Sequence, residues 1–132
     1  MQNSILFINN SNFEENFSFD NGGVIRGDYK KTKTYILNSN FTKNGAFQGG
    51  VFAPLYESLI ECQFCNFIQN FGLTASVVFS HNHGYVKINS SLISNNTAFS
   101  VKIGEFLDTV NIQEISNTLI KSNFIISKED LI

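Results

Sequence analysis

Residues able to act as acids, bases or nucleophiles are few and scattered in this chain of 132 residues. Hydrolysis of a polysaccharide requires two or three clustered carboxylates, and lyase chemistry requires an aspartate-lined calcium site with a base beside it. The carboxylates show no such grouping, so we predict that none is catalytic. They are Asp20, Asp28, Asp108, Asp130, Glu14, Glu15, Glu57, Glu61, Glu105, Glu114 and Glu129.

Two short motifs carry side chains that bind metals in other proteins. His81 and His83 flank Asn82, and two histidines at this spacing in an extended segment point to one side. A third ligand is not visible, so we predict an exposed turn and no metal site. Cys62 and Cys65 form half of a zinc pattern without its second half. We predict that they are small buried residues and expect no cofactor.

A repeat of about 26 residues determines which elements position these side chains. Each copy has a strand-like stretch, then Phe-x-x-Asn, a pair of small residues and a pair of apolar residues. We take the first residue of Phe-x-x-Asn as the anchor of each copy. The anchors are Phe13, Phe41, Phe67, Ile93 and Phe124, at spacings of 28, 26, 26 and 31 residues. In the first three copies the pairs of small residues are Gly22-Gly23, Gly49-Gly50 and Ala75-Ser76.

Four columns keep their character from copy to copy. Three residues after the anchors stand Asn16, Asn44, Asn70, Asn96 and Ser127. One residue before them stand Asn12, Asn40, Asn66, Leu92 and Asn123. Two residues before them stand the small Ser11, Ser39, Cys65, Ser91 and Ser122. Five residues before them stand the apolar Ile8, Ile36, Cys62, Ile88 and Leu119.

Stacked coils explain these columns. Alternate side chains of a strand point to opposite faces, so the positions five before, two before and at the anchor share the interior only if the chain bends between them. The anchor rings would then stack with the coil spacing of about 4.8 Å. We predict that the asparagines three residues after the anchors occupy left-handed turns and form a hydrogen-bonded ladder. The glycine pairs are predicted to supply turns with positive φ.

The predicted fold class is therefore all-β, a parallel β-helix in which each repeat is one coil. About four to five coils of about 26–28 residues would form one domain over residues 1–132. The fourteen Phe indicate an interior filled by repeated Phe stacks. A β-sandwich is the alternative, but it would show turn signals every ~8–12 residues without a long-range repeat. A helical solenoid is disfavoured by the abundance of Asn, Ser, Thr, Ile and Phe.

The repeat resembles that of a known family. Phe13-x-x-Asn16 with Gly22-Gly23-Val24-Ile25, and the equivalent run in the second copy, resemble the repeat of chlamydial polymorphic outer membrane proteins. Similar repeats occur in large Asn-rich surface proteins of ciliates and other protists. The resemblance covers about residues 8–127 and implies a right-handed parallel β-helix, a hand that agrees with parallel β crossovers in general. It also implies an extracellular or membrane-associated location. The fourth copy departs from the pattern, with Ile93 as its anchor and no glycine pair.

The amino-acid composition limits the classes of partner that we expect this protein to bind. The net charge is −2, and the only basic cluster is Lys30-Lys31-Thr32-Lys33, so we predict no nucleic-acid binding. No apolar run reaches the ~20 residues of a membrane span, and the first ten residues lack the features of a signal peptide. Because repeats begin by residue 8, there is no room for an N-terminal cap. Two explanations stay open: a segment of a longer solenoid, or ends covered by partner subunits.

These observations favour a non-catalytic structural or interaction protein. Its rigid β-helix would present a flat side to protein partners, as a repeat segment of a surface protein or as an accessory subunit of a larger assembly. The alternative is a carbohydrate-binding or carbohydrate-cleaving module, since parallel β-helices include pectin-degrading enzymes. That function needs exposed aromatic residues along one groove, and the candidates are Tyr29, Tyr35, Tyr56 and Tyr85.

Overall fold

A computed structural model describes residues 4–29, 31–99, 104–106, 114–116, 118–121 and 124–125 of the chain. Within these ranges the regular elements are all β-strands, and none is a helix. Within the described residues, each of the first four coils contains four short strands and the fifth contains three, and equivalent strands of successive coils pair in parallel. The result is four sheets, which we number by their order along a coil.

The strands are numbered in chain order, and successive strands of each sheet come from successive coils. Sheet 1 contains β1 (Ile5–Asn9), β5 (Lys33–Leu37), β9 (Leu59–Gln63), β13 (Tyr85–Asn89) and β17 (Glu114–Ser116). Sheet 2 contains β2 (Asn12–Glu14), β6 (Asn40–Thr42), β10 (Asn66–Ile68), β14 (Leu92–Ser94) and β18 (Leu119–Lys121). Sheet 3 contains β3 (Phe17–Asn21), β7 (Gly45–Gln48), β11 (Phe71–Gly72), β15 (Thr97–Ala98) and β19 (Phe124–Ile125). Sheet 4 contains β4 (Ile25–Gly27), β8 (Phe52–Pro54), β12 (Val78–Ser80) and β16 (Gly104–Phe106).

This arrangement confirms the predicted parallel β-solenoid, which has about four turns. Every named pair of strands is parallel, whereas a β-sandwich is built from antiparallel pairs. The right-handed winding implied by the family resemblance stays a prediction. The first coil is longer than the second because a bulge lies between Ser18 and Asn21 and because its loop before β5 has one more residue.

The predicted bend before the anchor lies between sheets 1 and 2. The residue three before the anchor has positive φ in four coils, namely Asn10, Asn38, Phe64 and Ser90. A second series of positive-φ residues lies two after the anchor, namely Glu15, Lys43, Gln69 and Asn95. The prediction that the asparagines three after the anchors adopt this conformation is therefore wrong. The chain turns one residue earlier, which aims the following carboxamides into the stack.

Like residues stack on like residues in the interior. The rings of Phe13 and Phe41 are parallel with centroids 5.1 Å apart, and Phe41 and Phe67 repeat this geometry. Phe52, from sheet 4, packs edge-on against Phe41 and Phe67. The expectation that repeated Phe stacks fill the interior holds only for this part of the Phe set. Several others face solvent: Phe7, Phe17, Phe19, Phe47 and Phe64.

The prediction of Phe124 as the fifth anchor is wrong. Ile120 pairs with Ile93, whereas Phe124 pairs with Thr97 in sheet 3. Ile120 lies 27 residues after Ile93, so the true spacing stays close to that of the other coils. Register follows the continuous backbone ladder, and Ile93 shows that an aliphatic residue already occupies the anchor position.

The neighbouring columns shift with this anchor. Ile115 pairs with Ile88, so it replaces Leu119, which is 58% exposed. Thr118 replaces Ser122 in the small-residue column, since its Oγ1 accepts from the N–H of Ser91. By sequence spacing Asn123 replaces Ser127; both lie outside the described residues.

The two glycines of each pair are needed for different reasons. Gly22 and Gly49 have φ of 67° and 65°, as predicted for turn glycines. Gly23 and Gly50 do not have positive φ. A Cβ on Gly50 would instead lie far inside van der Waals contact of the carbonyl oxygens of Phe71 and Ser76, in the next coil. The second glycine therefore permits close approach of two backbones.

This difference yields a matched pair of substitutions in the second coil. We expect Gly50→Ala to reduce the free energy of unfolding by about 3 kcal/mol or more, because backbone atoms cannot move aside. We expect Gly45→Ala to change it by less than about 1 kcal/mol. The nearest atom to a Cβ at Gly45 is Cδ2 of the exposed Phe17 side chain, at 3.1 Å. Urea denaturation measures both, and equal losses would show that backbone contact does not limit this turn.

Candidate functional site

A ladder of buried asparagines runs along the corner between sheets 2 and 3. Asn44 Oδ1 accepts hydrogen bonds from the backbone N–H of Asn16 at 3.1 Å and from its Nδ2 at 2.9 Å. Asn70 Oδ1 receives the same two bonds from Asn44, and Asn96 Oδ1 receives them from Asn70. The side chains of Asn44, Asn70 and Asn96 are at most 1% exposed. Asn16, in the first coil, is exposed.

Each carboxamide also satisfies a backbone carbonyl of the coil before it. Nδ2 of Asn44 donates to the carbonyl oxygen of Phe13, and Nδ2 of Asn70 donates to that of Phe41. The positive-φ residue before each asparagine keeps its backbone bond to the next coil, as the Glu15 N–H does to the Thr42 carbonyl oxygen. The carboxamide of the next coil accepts the backbone N–H that follows it. The predicted asparagines therefore form a structural element, in which both polar atoms of each buried carboxamide are hydrogen-bonded.

The small residues two positions before the anchors form hydrogen bonds at a second corner, between sheets 1 and 2. Ser39 Oγ donates to the carbonyl oxygen of Leu37 and accepts from the backbone N–H of Ser11. Cys65 takes the same place in the third coil, with its Sγ 3.4 Å from the carbonyl oxygen of Gln63. As predicted, Cys62 and Cys65 are both buried, and both are thiols. Burial raises the pKa of Cys62 well above its ordinary value, which keeps this thiol protonated and unreactive.

The described histidines and carboxylates lie in exposed turns and ion pairs. Asn82 and His83 have φ of 50° and 62°, so the motif is a turn, as predicted, and the extended geometry is absent. No group of three potential ligand side chains is found in the part of the chain that the structure describes. Glu14 and Glu15 lie near Lys43 Nζ, at 3.8 and 3.4 Å, as exposed ion pairs. The described residues also include no helix long and apolar enough to cross a membrane.

The outer side of sheet 3 is an aromatic surface that sequence reasoning missed. We define the aromatic face as Phe17, Phe19, Phe47, Phe71, Leu73 and Phe99. Phe17 and Phe19 make an edge-to-face contact at 5.1 Å, and Phe71 and Phe99 make another at 5.7 Å. Phe17, Phe47, Phe71 and Leu73 line a shallow hollow of about 150 Å³.

A sequence signal for this face exists. The residue five after each anchor is small in four copies: Ser18, Ala46, Gly72 and Ala98, which are paired in register along sheet 3. Large apolar residues precede or follow each of them. In these strands the small residue faces the crowded interior and the large residue faces solvent. This reverses the usual pattern and hides the face from a search for buried hydrophobic residues.

Two further hollows lie on other sides. A groove of about 450 Å³ on sheet 1 is lined mainly by Phe7, Tyr35, Leu37, Glu61 and Gln63. Phe7 and Tyr35 stack with centroids 5.3 Å apart, so each ring has one side occupied by the other.

The other hollow, of about 510 Å³, is lined by Arg26, Asp28, Tyr29 and Tyr56. Arg26 Nε lies 2.7 Å from Asp28 Oδ1, and its Nη1 contacts Asp20 Oδ2 at 2.5 Å. The hydrogen bond from Arg26 to Asp28 raises the pKa of Arg26 further. The four tyrosines named as candidates for a carbohydrate-binding groove are therefore divided, since Tyr29 and Tyr56 share this hollow and the other two, Tyr35 and Tyr85, lie on sheet 1.

Comparisons with protein-family models, curated proteins and solved structures gave no significant match. The resemblance to the chlamydial and protist repeats stays an expectation, and function must be argued from the geometry.

The ladder gives a second matched pair of substitutions. We expect Asn44→Ala to reduce the free energy of unfolding by about 1–3 kcal/mol, because it removes the buried carboxamide that bonds to the Phe13 carbonyl and to the Asn16 N–H. We expect Asn16→Ala to cost less than about 1 kcal/mol, since its backbone bond to Asn44 remains and its side chain is exposed. Thermal and chemical unfolding measure both. A larger loss at Asn16 would contradict the assignment of the buried ladder as the stabilising element.

Proposed function

We propose that this protein is a non-catalytic scaffold whose aromatic face binds a partner protein. The observation that supports this most directly is the exposure of large rings on one rigid sheet. Phe17, Phe19 and Phe47 are 58%, 83% and 44% exposed. Contiguous apolar surface of this kind on a folded domain marks an interaction site, and aromatic residues supply much of the binding energy at protein interfaces.

The rigidity of the support adds to the argument. The strands beneath the face are joined in register, and the Asn ladder borders them at the corner between sheets 2 and 3. A ring on such a support loses little further freedom on binding, because its backbone is already fixed. The face would therefore act as a preformed docking surface.

The chemistry of the face favours an apolar protein surface as its partner. None of its six residues is charged, and the nearest acidic residue in the sequence, Asp20, is paired with Arg26. Nucleic acids and anionic membranes are bound through clusters of Lys and Arg, which this face does not contain. Two settings fit the proposal: a repeat segment of a surface protein and an accessory subunit of a larger assembly.

Photo-crosslinking in native extracts tests the proposal. We expect a photoreactive phenylalanine analogue at position 19 to yield one discrete protein adduct. The same analogue at position 56, which is exposed on another side, should not yield it. With the purified partner, Phe47→Asp should weaken binding by about 100-fold or more, and Tyr56→Asp should leave it unchanged. Adducts only with lipid, or equal adducts at both positions, would contradict the proposal.

A carbohydrate-binding role is the second candidate, and the hollow around Arg26 supports it. Tyr29 and Tyr56 are 74% and 51% exposed there, beside a guanidinium and a carboxylate that can bond to hydroxyl groups. If this role holds, immobilised polysaccharides should retain the protein, and Tyr56→Ala should weaken retention about tenfold while Phe47→Ala leaves it intact. Absence of retention across a broad polysaccharide array would remove this candidate.

A further inference from the structure

The two cysteines of this chain meet across one bend in the interior of the third coil. Cys62 belongs to β9 and Cys65 immediately precedes β10, and both side chains are fully buried in the apolar core. Residues three apart on a straight strand would point to opposite faces. Phe64, which lies between the cysteines, has a φ of 55°, and the bend at this residue turns both thiols inward.

The contacts of Cys65 place its sulfur atom beside that of Cys62. Cys65 Sγ lies 3.9 Å from the carbonyl oxygen of Ile36, which is the register partner of Cys62 on the adjacent strand. The two thiols are hydrogen-bonded to each other, and this bond lowers the pKa of Cys65. A backbone hydrogen bond from Ser39 to the same sulfur acts in the same direction, whereas burial raises the pKa of Cys62.

The neighbouring coils show that the fold requires neither cysteine. The equivalent positions in the second and fourth coils are occupied by isoleucine and serine, namely Ile36, Ile88, Ser39 and Ser91. Both departures occur in the same coil and on the two sides of the same bend, although the sequence has only two cysteines in 132 residues. Packing of small buried residues explains each cysteine separately, but it does not explain why the two lie together.

We infer that Cys62 and Cys65 form a redox site, at which hydrogen peroxide converts the two thiols into a disulfide. The thiolate of Cys65 attacks one oxygen of the peroxide, which gives a sulfenic acid and releases hydroxide. Cys62 Sγ then attacks Cys65 Sγ, the S–O bond breaks, and the proton of Cys62 leaves with the hydroxyl group as water. In total the two thiols lose two electrons and two protons, and one peroxide is reduced to two waters.

The surroundings of the pair can accept this bond with little rearrangement. Oxidation removes the S–H of Cys65 from the carbonyl oxygen of Gln63, but this oxygen keeps the backbone N–H of Asn38 as a partner. The N–H of Cys65 keeps its bond to Ser91 Oγ at 3.0 Å. Hydrogen peroxide is close to water in size, so local opening that admits water to this corner also admits the oxidant.

Mass spectrometry after treatment with hydrogen peroxide tests the inference. The folded protein should lose the mass of two hydrogen atoms, peptide mapping should find a link between Cys62 and Cys65, and dithiothreitol should reverse the change.

Cys62→Ile and Cys65→Ser are the matched variants, because each introduces the residue that neighbouring coils carry at the same position. Cys62→Ile should gain oxygen at Cys65, since no second thiol is present. Cys65→Ser should react about tenfold more slowly or less, because the remaining thiol is protonated. Unfolding curves establish that both variants keep the fold.

An equilibrium measurement shows whether the fold itself creates the site, because cysteines three apart can also join in an unfolded chain. The protein is equilibrated with mixtures of reduced and oxidised glutathione, in buffer and in urea. We expect the equilibrium constant for disulfide formation to be about tenfold larger or more in the folded protein, since the fold already holds the two sulfur atoms together. An equal or smaller constant in the folded protein, links between chains in place of the internal link, or equal reactivity of Cys62→Ile and Cys65→Ser toward peroxide would overturn the inference.

Discussion

The in-register parallel ladder between coils is the interaction on which the rest of this structure depends. The ladder sets one separation between successive coils in every sheet. The centroids of successive anchor rings lie at about this separation, 5.1 Å apart. Because register is preserved, each residue lies against its own equivalent, and only side chains that tolerate self-stacking can fill the interior. Flat rings, branched aliphatic chains and carboxamides meet that condition. A charged side chain that recurred in every coil would lie against a like charge, and no charged residue is buried among those whose burial the structure describes.

The corners are where this ladder is most vulnerable. Residues with positive φ turn the chain there, and the backbone-to-backbone pairing is interrupted at the N–H of the residue that follows each of them. Side chains restore it: carboxamides at one corner and hydroxyls at another bond to the backbone of the adjacent coil. A buried polar group without a partner would cost free energy, so the fold depends on these polar columns as well as on the apolar ones. Cys65 shows that the position accepts a thiol, which makes the same contact more weakly.

The aromatic face exists because the stacked coils leave the large residues of sheet 3 outside the interior. Sheet 3 packs small residues inward, because rings from sheets 2 and 4 already occupy the centre of the coil. Its large residues must therefore face solvent, which produces a fixed aromatic surface with one shallow hollow.

The sequence by itself determined the coil. The 26-residue period, the anchor and Asn columns and the first glycine of each pair were readable because stacking imposes the same requirement on every copy. Tertiary structure alone decided the rest. Ile120 takes the fifth anchor position because register obeys hydrogen bonding, which does not depend on the identity of one side chain. The left-handed residues lie one position before the ladder asparagines, and Gly50 is needed because of a neighbouring carbonyl, which is distant in sequence. The outward orientation of several Phe residues could not be predicted, because hydrophobicity by itself predicts burial. The side that a residue faces depends on how much space the opposite sheets leave in the interior.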